Sequence, residues 1–222
     1  ADGELKGAQL RDGVDGHTAT AGNAVITNSN GGSTAFLAMT TAGNATIINQ
    51  SGSGTFFGDS STAGNASITN RPGGQTIFGT PVGTDAPSAG TATISNEMGG
   101  STEFNAFATA SSASITNHDG GGTNFFDSST AGKATITTNH GGATFFHDNA
   151  DGGTAQFITV GTGVVDFAGS LGPNGDGRIN AGSIAGSGIY YIGAGNTLVV
   201  GGNNLSTEVS GVIADDCEWY HA

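Results

Sequence analysis

Small and large apolar residues recur two positions apart along the chain, and the pairs themselves recur at long, nearly constant intervals. Ala24, Ala45, Ala66, Ala92, Ala113, Ala134 and Ala155 stand 21 residues apart, apart from one step of 26. Two positions after each comes Ile26, Ile47, Ile68, Ile94, Ile115, Ile136 or Phe157. Further on, Thr34, Thr55, Thr76, Thr102, Thr123, Thr144 and Val165 each precede by two positions a phenylalanine: Phe36, Phe57, Phe78, Phe104, Phe125, Phe146 and Phe167. A period of two places alternate side chains on one face of a strand, so each unit is expected to hold two short strands with one face inward. Between them lie "SNGGS", "RPGGQ" and "HDGGG", turns in which glycine supplies positive φ. No 3.6-residue period suggests a helix.

A unit this small cannot bury its few apolar side chains alone. Stacked at the spacing of neighbouring strands, each Ile lies beneath the next Ile and each Phe beneath the next Phe. The expected fold is all-β, a parallel β-solenoid with about 21 residues per coil and an axial length on the order of 45 Å. The longer step contains "PVGTDAP", read as a surface insertion from Pro81 to Pro87. A further column, Asn28, Asn49, Asn70, Asn96 and Asn117, is expected to form a turn-forming amide ladder, because asparagine tolerates the left-handed region. Lys133 replaces the asparagine of "AGNA", and an extra threonine precedes Asn139.

The whole of residues 1–222 is read as a single solenoid domain. Residues 1–23, with Leu5, Leu10 and Val14, would make an irregular opening coil. Residues 24–167 hold the seven repeats, and 168–222 continue as divergent coils with alternation at Tyr191, Leu198 and Val200.

Composition narrows the partners. Forty-one glycines without a Gly-X-Y period exclude collagen, and twelve phenylalanines argue against disorder. A formal charge of -13, from 5 basic and 18 acidic residues, excludes nucleic acid and gives no attraction to an anionic membrane. Cys217 is the one cysteine, which rules out an internal disulfide. No apolar run is long enough to span a bilayer, so no membrane insertion is expected, and any signal peptide is expected to have been removed.

"STAGNASITN" with a following "GGxTxF", and above all "AGSIAGSGIYYIGAGNTLVVGGNNLSTEVSGVIADD", resemble the repetitive passenger regions of bacterial autotransporters, over roughly Thr18 to Asp216. The resemblance implies a right-handed parallel β-helix, secreted or held at the outer surface of a Gram-negative cell. In that family "VSGVI" is followed by more Gly-rich coils and a membrane barrel, whereas this sequence ends in "CEWYHA". A fragment, a naturally shortened relative or a protein exported by another route is therefore expected. The family includes adhesins, enzymes and toxins, so the resemblance leaves activity open.

Catalysis is not expected. Arg11, Arg71 and Arg178 are too sparse for a lyase-like site, and no nucleophilic triad or phosphate loop is visible. Asp59, Asp127 and Asp148 share one column, which more often marks a solvated turn than an acid–base pair. His118 and His140 on consecutive coils, with Asp119, His147, Asp127 and Asp148 as acidic and imidazole neighbours, are candidate ligands for zinc or copper, set against the ordinary reading of exposed turn residues. "GPNGDGRIN" offers Asn174 and Asp176 as part of a calcium loop but lacks its first Asp and closing Glu. No other cofactor is expected.

The outward side of the first strand carries the sharper candidates: Ser67 with Thr69, Thr93 with Ser95, Ser114 with Thr116, and Thr135 with Thr137. Stacked hydroxyls of this kind resemble the T-x-T face of β-solenoid antifreeze proteins, which requires a flat face free of charge. Ser and Thr are also ordinary on solvent-facing strands. The expected function is a non-catalytic extracellular adhesion or structural module meeting a surface or a glycan. Ice binding is one alternative, and end-to-end assembly into filaments is another, with Trp219 and Tyr220 either covering the last coil or docking on a neighbour.

Overall fold

The computed structural model describes residues 8–10, 18–81 and 83–215. Leu5, Arg11, Val14, Cys217, Trp219 and Tyr220 lie outside the described residues. The chain is a parallel β-solenoid of about nine turns, with no helix among the described residues.

Each repeat contributes one strand to each of two parallel sheets. The first sheet has eight strands: Val25–Asn28, Thr46–Asn49, Ser67–Asn70, Thr93–Asn96, Ser114–Asn117, Thr135–Thr138, Gln156–Thr159 and Ser183–Gly186. The second has ten: Ala8–Leu10, Ser33–Phe36, Gly54–Phe57, Gln75–Phe78, Ser101–Phe104, Gly122–Phe125, Ala143–Asp148, Val164–Ser170, Ile189–Tyr191 and Val212–Ala214. Registers agree with the spacing: Ile68 pairs with Ile94, and Phe78 with Phe104, across the 26-residue step. The extra residues are 80–84, narrower than the expected Pro81 to Pro87: the stack resumes at Asp85, where Ala86 N–H donates to the Asp59 carbonyl and Phe107 N–H to the Asp85 carbonyl, and Thr109 N–H donates to the Pro87 carbonyl.

The third side is narrower. Thr20, Thr41, Thr62, Ser88, Thr109, Thr130 and Asp151 form a line of single parallel bridges. In every copy the side-chain oxygen accepts the amide proton two residues on, as from Gly64 to Thr62 at 3.0 Å and from Gly90 to Ser88 at 3.0 Å. The residue that donates has positive φ in every copy, glycine in six and Ser111 in the other, and at Gly90 a Cβ would lie 2.6 Å from the Gly64 carbonyl oxygen. The phrase "TAGNA" is thereby explained residue by residue. Thr caps, Ala points inward, Gly turns, Asn faces solvent, and the second Ala points inward again.

Two ladders fill the interior. Phe36, Phe57, Phe78, Phe104, Phe125 and Phe146 stack with centroids 4.6 to 4.8 Å apart and ring planes within 9° of parallel. The asparagine column differs from expectation. These residues end the first-sheet strands with extended backbone and fully buried side chains, rather than sitting in left-handed turns. Each Nδ2 donates to the next Oδ1 at 2.8 Å, from Asn28 through Asn49, Asn70 and Asn96 to Asn117. Each Oδ1 also accepts the hydroxyl of the column threonine six residues on, such as Thr76 to Asn70 at 2.8 Å. Burial of these amides is tolerable because every copy supplies the partner the next one needs. Thr138 ends the ladder, its hydroxyl 2.9 Å from that of Thr144.

Beyond residue 168 the architecture changes. Arg178–Asn180 and Thr197–Val199 pair as a small sheet of their own. Tyr190, not Tyr191, enters the interior in the threonine column, and its hydroxyl donates to the Ala185 carbonyl at 2.7 Å. Leu198 is half-buried and Val200 about half exposed.

Candidate functional site

The hydroxyl pairs lie where strand alternation puts them, on the outer side of the first sheet. Ser67, Thr93, Ser114 and Thr135 form one column in strict register, and Thr69, Ser95, Thr116 and Thr137 form the next. The outermost of these are exposed, while Thr69, Ser95, Thr116, Thr135 and Thr137 are half-buried among their neighbours. No strand residue on this face carries a charge from Thr46 to Thr137. Val25 and Ile48 at one end, and Gln156 and Ile158 at the other, interrupt the hydroxyls.

A third column borders the face and was not anticipated as a ladder. Asn44 donates to Asn23 at 3.3 Å and Asn65 to Asn44 at 3.2 Å, and the Thr91 hydroxyl bonds to Asn65. Ser112, Lys133 and Thr154 continue it. Hydroxyls, methyls and carboxamides at strand spacing can order water or meet the hydroxyls of a polyol. They supply no group that titrates near neutrality.

The acidic column has a structural use. Asp59 Oδ2 accepts the Ala38 amide at 2.7 Å, Asp127 Oδ2 that of Ala106 at 2.8 Å, and Asp148 Oδ2 that of Asp127 at 3.1 Å. Each carboxylate caps a residue in the preceding coil, and Asp59, Asp127 and Asp148 themselves sit at φ of 53°, 56° and 55°. His118 and His140 occupy a different corner, before the Phe-bearing strand rather than after it, and occupy successive columns instead of one. His140 Nδ1 lies 2.9 Å from the Thr162 hydroxyl. The histidines are thus separated from Asp127 and Asp148 by the length of a strand, and among the described residues no three such side chains group for a metal. Asp176 accepts the Arg178 amide at 3.1 Å and shapes the turn proposed for calcium.

The outer side of the second sheet holds features that the sequence reading passed over. The Phe126 and His147 rings stack at 4.7 Å, with Phe145 at 6.2 Å from His147. Burial lowers the His147 pKa below its ordinary value, opposed by the nearby carboxylates of Asp148 and Asp166. Burial raises that of Glu103, opposed by the hydrogen bond from Gln75 at 2.6 Å. The positions flanking each core Phe vary from copy to copy, with Ala35, Phe56, Ile77, Glu103, Asn124 and Phe145 before it and Leu37, Gly58, Asn105, Phe126 and His147 after it, so no repeated pattern marked this side.

No protein-family model, curated protein or solved structure matches the chain. What it can do has to follow from its own surface. That surface offers a regular uncharged face on one sheet and a mixed aromatic and acidic one on the other. Among the described residues no helix is long and apolar enough to cross a membrane.

Proposed function

We propose that the chain is a non-catalytic surface module, exported to the outside of a cell like the autotransporter passengers its repeats resemble, that meets other surfaces through its first sheet. The observation that carries this reading is the register of eight Ser and Thr residues on four adjacent strands with no charge among them. The candidate acids are engaged in capping backbone amides. The internal Asn and Phe ladders hold the sheet to one spacing over many coils, which suits a rigid spacer and display surface.

Attachment of beads coated with the protein, counted on epithelial cells and on bacterial cells, tests the reading. A fourfold variant, Ser67→Lys with Thr93→Lys, Ser114→Lys and Thr135→Lys, should fold, because all four positions face outward, and should lose attachment. Equal attachment by both proteins, or by neither, overturns it.

The same register favours ice as a second reading, because lattice matching needs repeated hydroxyls and methyls at a constant spacing, about 4.8 Å between strands. Ice recrystallisation inhibition that Thr93→Tyr and Thr135→Tyr abolish would establish it over cell attachment. An inactive wild-type protein would exclude it.

A further inference from the structure

The chain departs from its own repeat at Lys133, which stands where Asn23, Asn44 and Asn65 stand in earlier copies. The side chain is exposed and makes no ion pair among the described residues, although the chain carries 18 acidic residues. It faces instead a cleft of about 370 Å³, open on one side, at the C-terminal end of the uncharged face. Lys133, Thr135, Thr154 and Gln156 form its floor, and Asn203 and Leu205 its wall. Among the described residues no Asp or Glu lines it.

The wall is held in place. Asn203 donates to the Ser183 hydroxyl at 2.9 Å and accepts the Leu205 amide at 3.1 Å. Gly202 rests on Thr154, where an added Cβ would come within 3.3 Å of the methyl group, and a Cβ on Gly182 would come within 2.7 Å of the Asn203 amide nitrogen. Gly201, at φ 107°, turns the chain into this segment. The cleft exists before any ligand arrives, so little ordering is needed on binding.

We propose that this cleft binds an acidic sugar residue of a glycan, with its carboxylate on the Lys133 ammonium. The chemistry of the lining matches such a ligand in three respects. An ammonium without an internal counter-ion favours a carboxylate, and charge-assisted hydrogen bonds are the stronger kind. The Thr135 hydroxyl and the Gln156 carboxamide can both donate and accept, as sugar hydroxyls do, while the Thr154 hydroxyl, which donates to the Gly132 carbonyl, and Asn203, held by Ser183 and Leu205, keep an accepting lone pair and one N–H respectively. Leu205, half exposed, offers an apolar contact for the C–H face of a ring. This inference rests on the surface-module reading and names one class of partner for it.

The test is a titration of the isotope-labelled full chain with methyl glucuronide and with methyl glucoside, which differ only by the carboxylate, followed by amide chemical shifts. Saturable shifts at Gly202, Asn203 and Leu205 are expected with the glucuronide, with affinity about tenfold weaker for the glucoside. Lys133→Gln should bring the glucuronide down to the glucoside's affinity, and Lys133→Arg should keep most of it. Both substitutions are on an exposed side chain, and an unchanged thermal transition confirms the fold. Equal affinity for the two sugars, a glucuronide affinity that Lys133→Gln leaves unchanged, or no shifts at all overturn the proposal. Bead attachment that survives without any sugar-induced shift would overturn this site and leave the surface reading standing. Saturation of the cleft by a protein whose beads attach to nothing would do the reverse.

Discussion

The repeat body, residues 24–167, and the coils beyond residue 168 share one second sheet but stabilise it in opposite ways. In the body the interior ladders pair each residue with its own copy in the next coil, Phe on Phe and Asn on Asn, and every turn carries the same side-chain cap from Thr, Ser or Asp. In the C-terminal coils the contacts are singular. Both Asp151 carboxylate oxygens hold Asn180, Tyr190 replaces a threonine, and Asn203 pins a segment that crosses the end of the first sheet. Val200, Leu205, Val212 and Ile213 remain about half exposed there, whereas the body buries its Ile and Phe columns almost completely. The difference teaches that repetition gives stability and flatness, while a binding cleft requires the repetition to stop. A surface made of one column per residue is convex or flat; a concavity needs a segment that leaves the column.

Substitutions should break this contrast in order of how many copies they disconnect. Phe104→Ala interrupts the ring stack between Phe78 and Phe125 and should cost roughly 3–5 kcal/mol in denaturant unfolding. Leu205→Ala, at the exposed wall, should stay within about 0.5 kcal/mol. Asn96→Ala leaves the Asn70 amide and the Thr102 hydroxyl without their acceptor and should cost roughly 2–4 kcal/mol. A loss no larger than that of an exposed Asn65→Ala would mean that the buried ladder does not hold the coils. Tyr190→Phe keeps the interior ring but removes the hydroxyl's bonds to the Ala185 and Phe157 carbonyls, for a loss of about 1 kcal/mol where the body meets the C-terminal coils.

A pH experiment sharpens the comparison at the outer face of the second sheet. Burial depresses the His147 pKa below 6.5, so its contribution to stability is present above that value and is lost as pH falls through the folded-state value. The thermal midpoint should fall between about pH 7 and pH 5. His147→Phe, which preserves the stack on Phe126, should remove this part of the dependence; an unaltered profile would assign it to other groups. A change of the opposite sign is expected at Ser61, whose buried hydroxyl finds no partner among the described residues. Ser61→Ala, copying Ala108 in the same column, should leave stability unchanged or raise it by up to about 1 kcal/mol.

Strand positions, coil length and the inward Ile, Thr and Phe columns were legible because the period of two along a strand and the period of the repeat are both written in residue spacing. The asparagine column was legible as a column but not as an interior one. Asn is equally at home in a left-handed turn and in a buried amide ladder, and only the presence of Thr34, Thr55, Thr76 and their successors six residues on distinguishes them. The hydroxyl face was located residue by residue. The wall at Asn203 was not, because residues 133 and 203 are brought together by a segment that leaves the stack, and no local pattern encodes that return.

By itself the sequence determined a parallel stack of coils, since identical apolar columns can be buried only on copies of themselves. It also determined which hydroxyls face outward, because alternation along a strand leaves no choice. The tertiary structure alone decided that the asparagines are interior, that Asp59, Asp127 and Asp148 cap the amides of preceding coils, and that Lys133 faces a cleft to which no described residue brings a carboxylate. These depend on which neighbour reaches a group across the stack, and that is a property of register and of the closing segment rather than of any local run of residues.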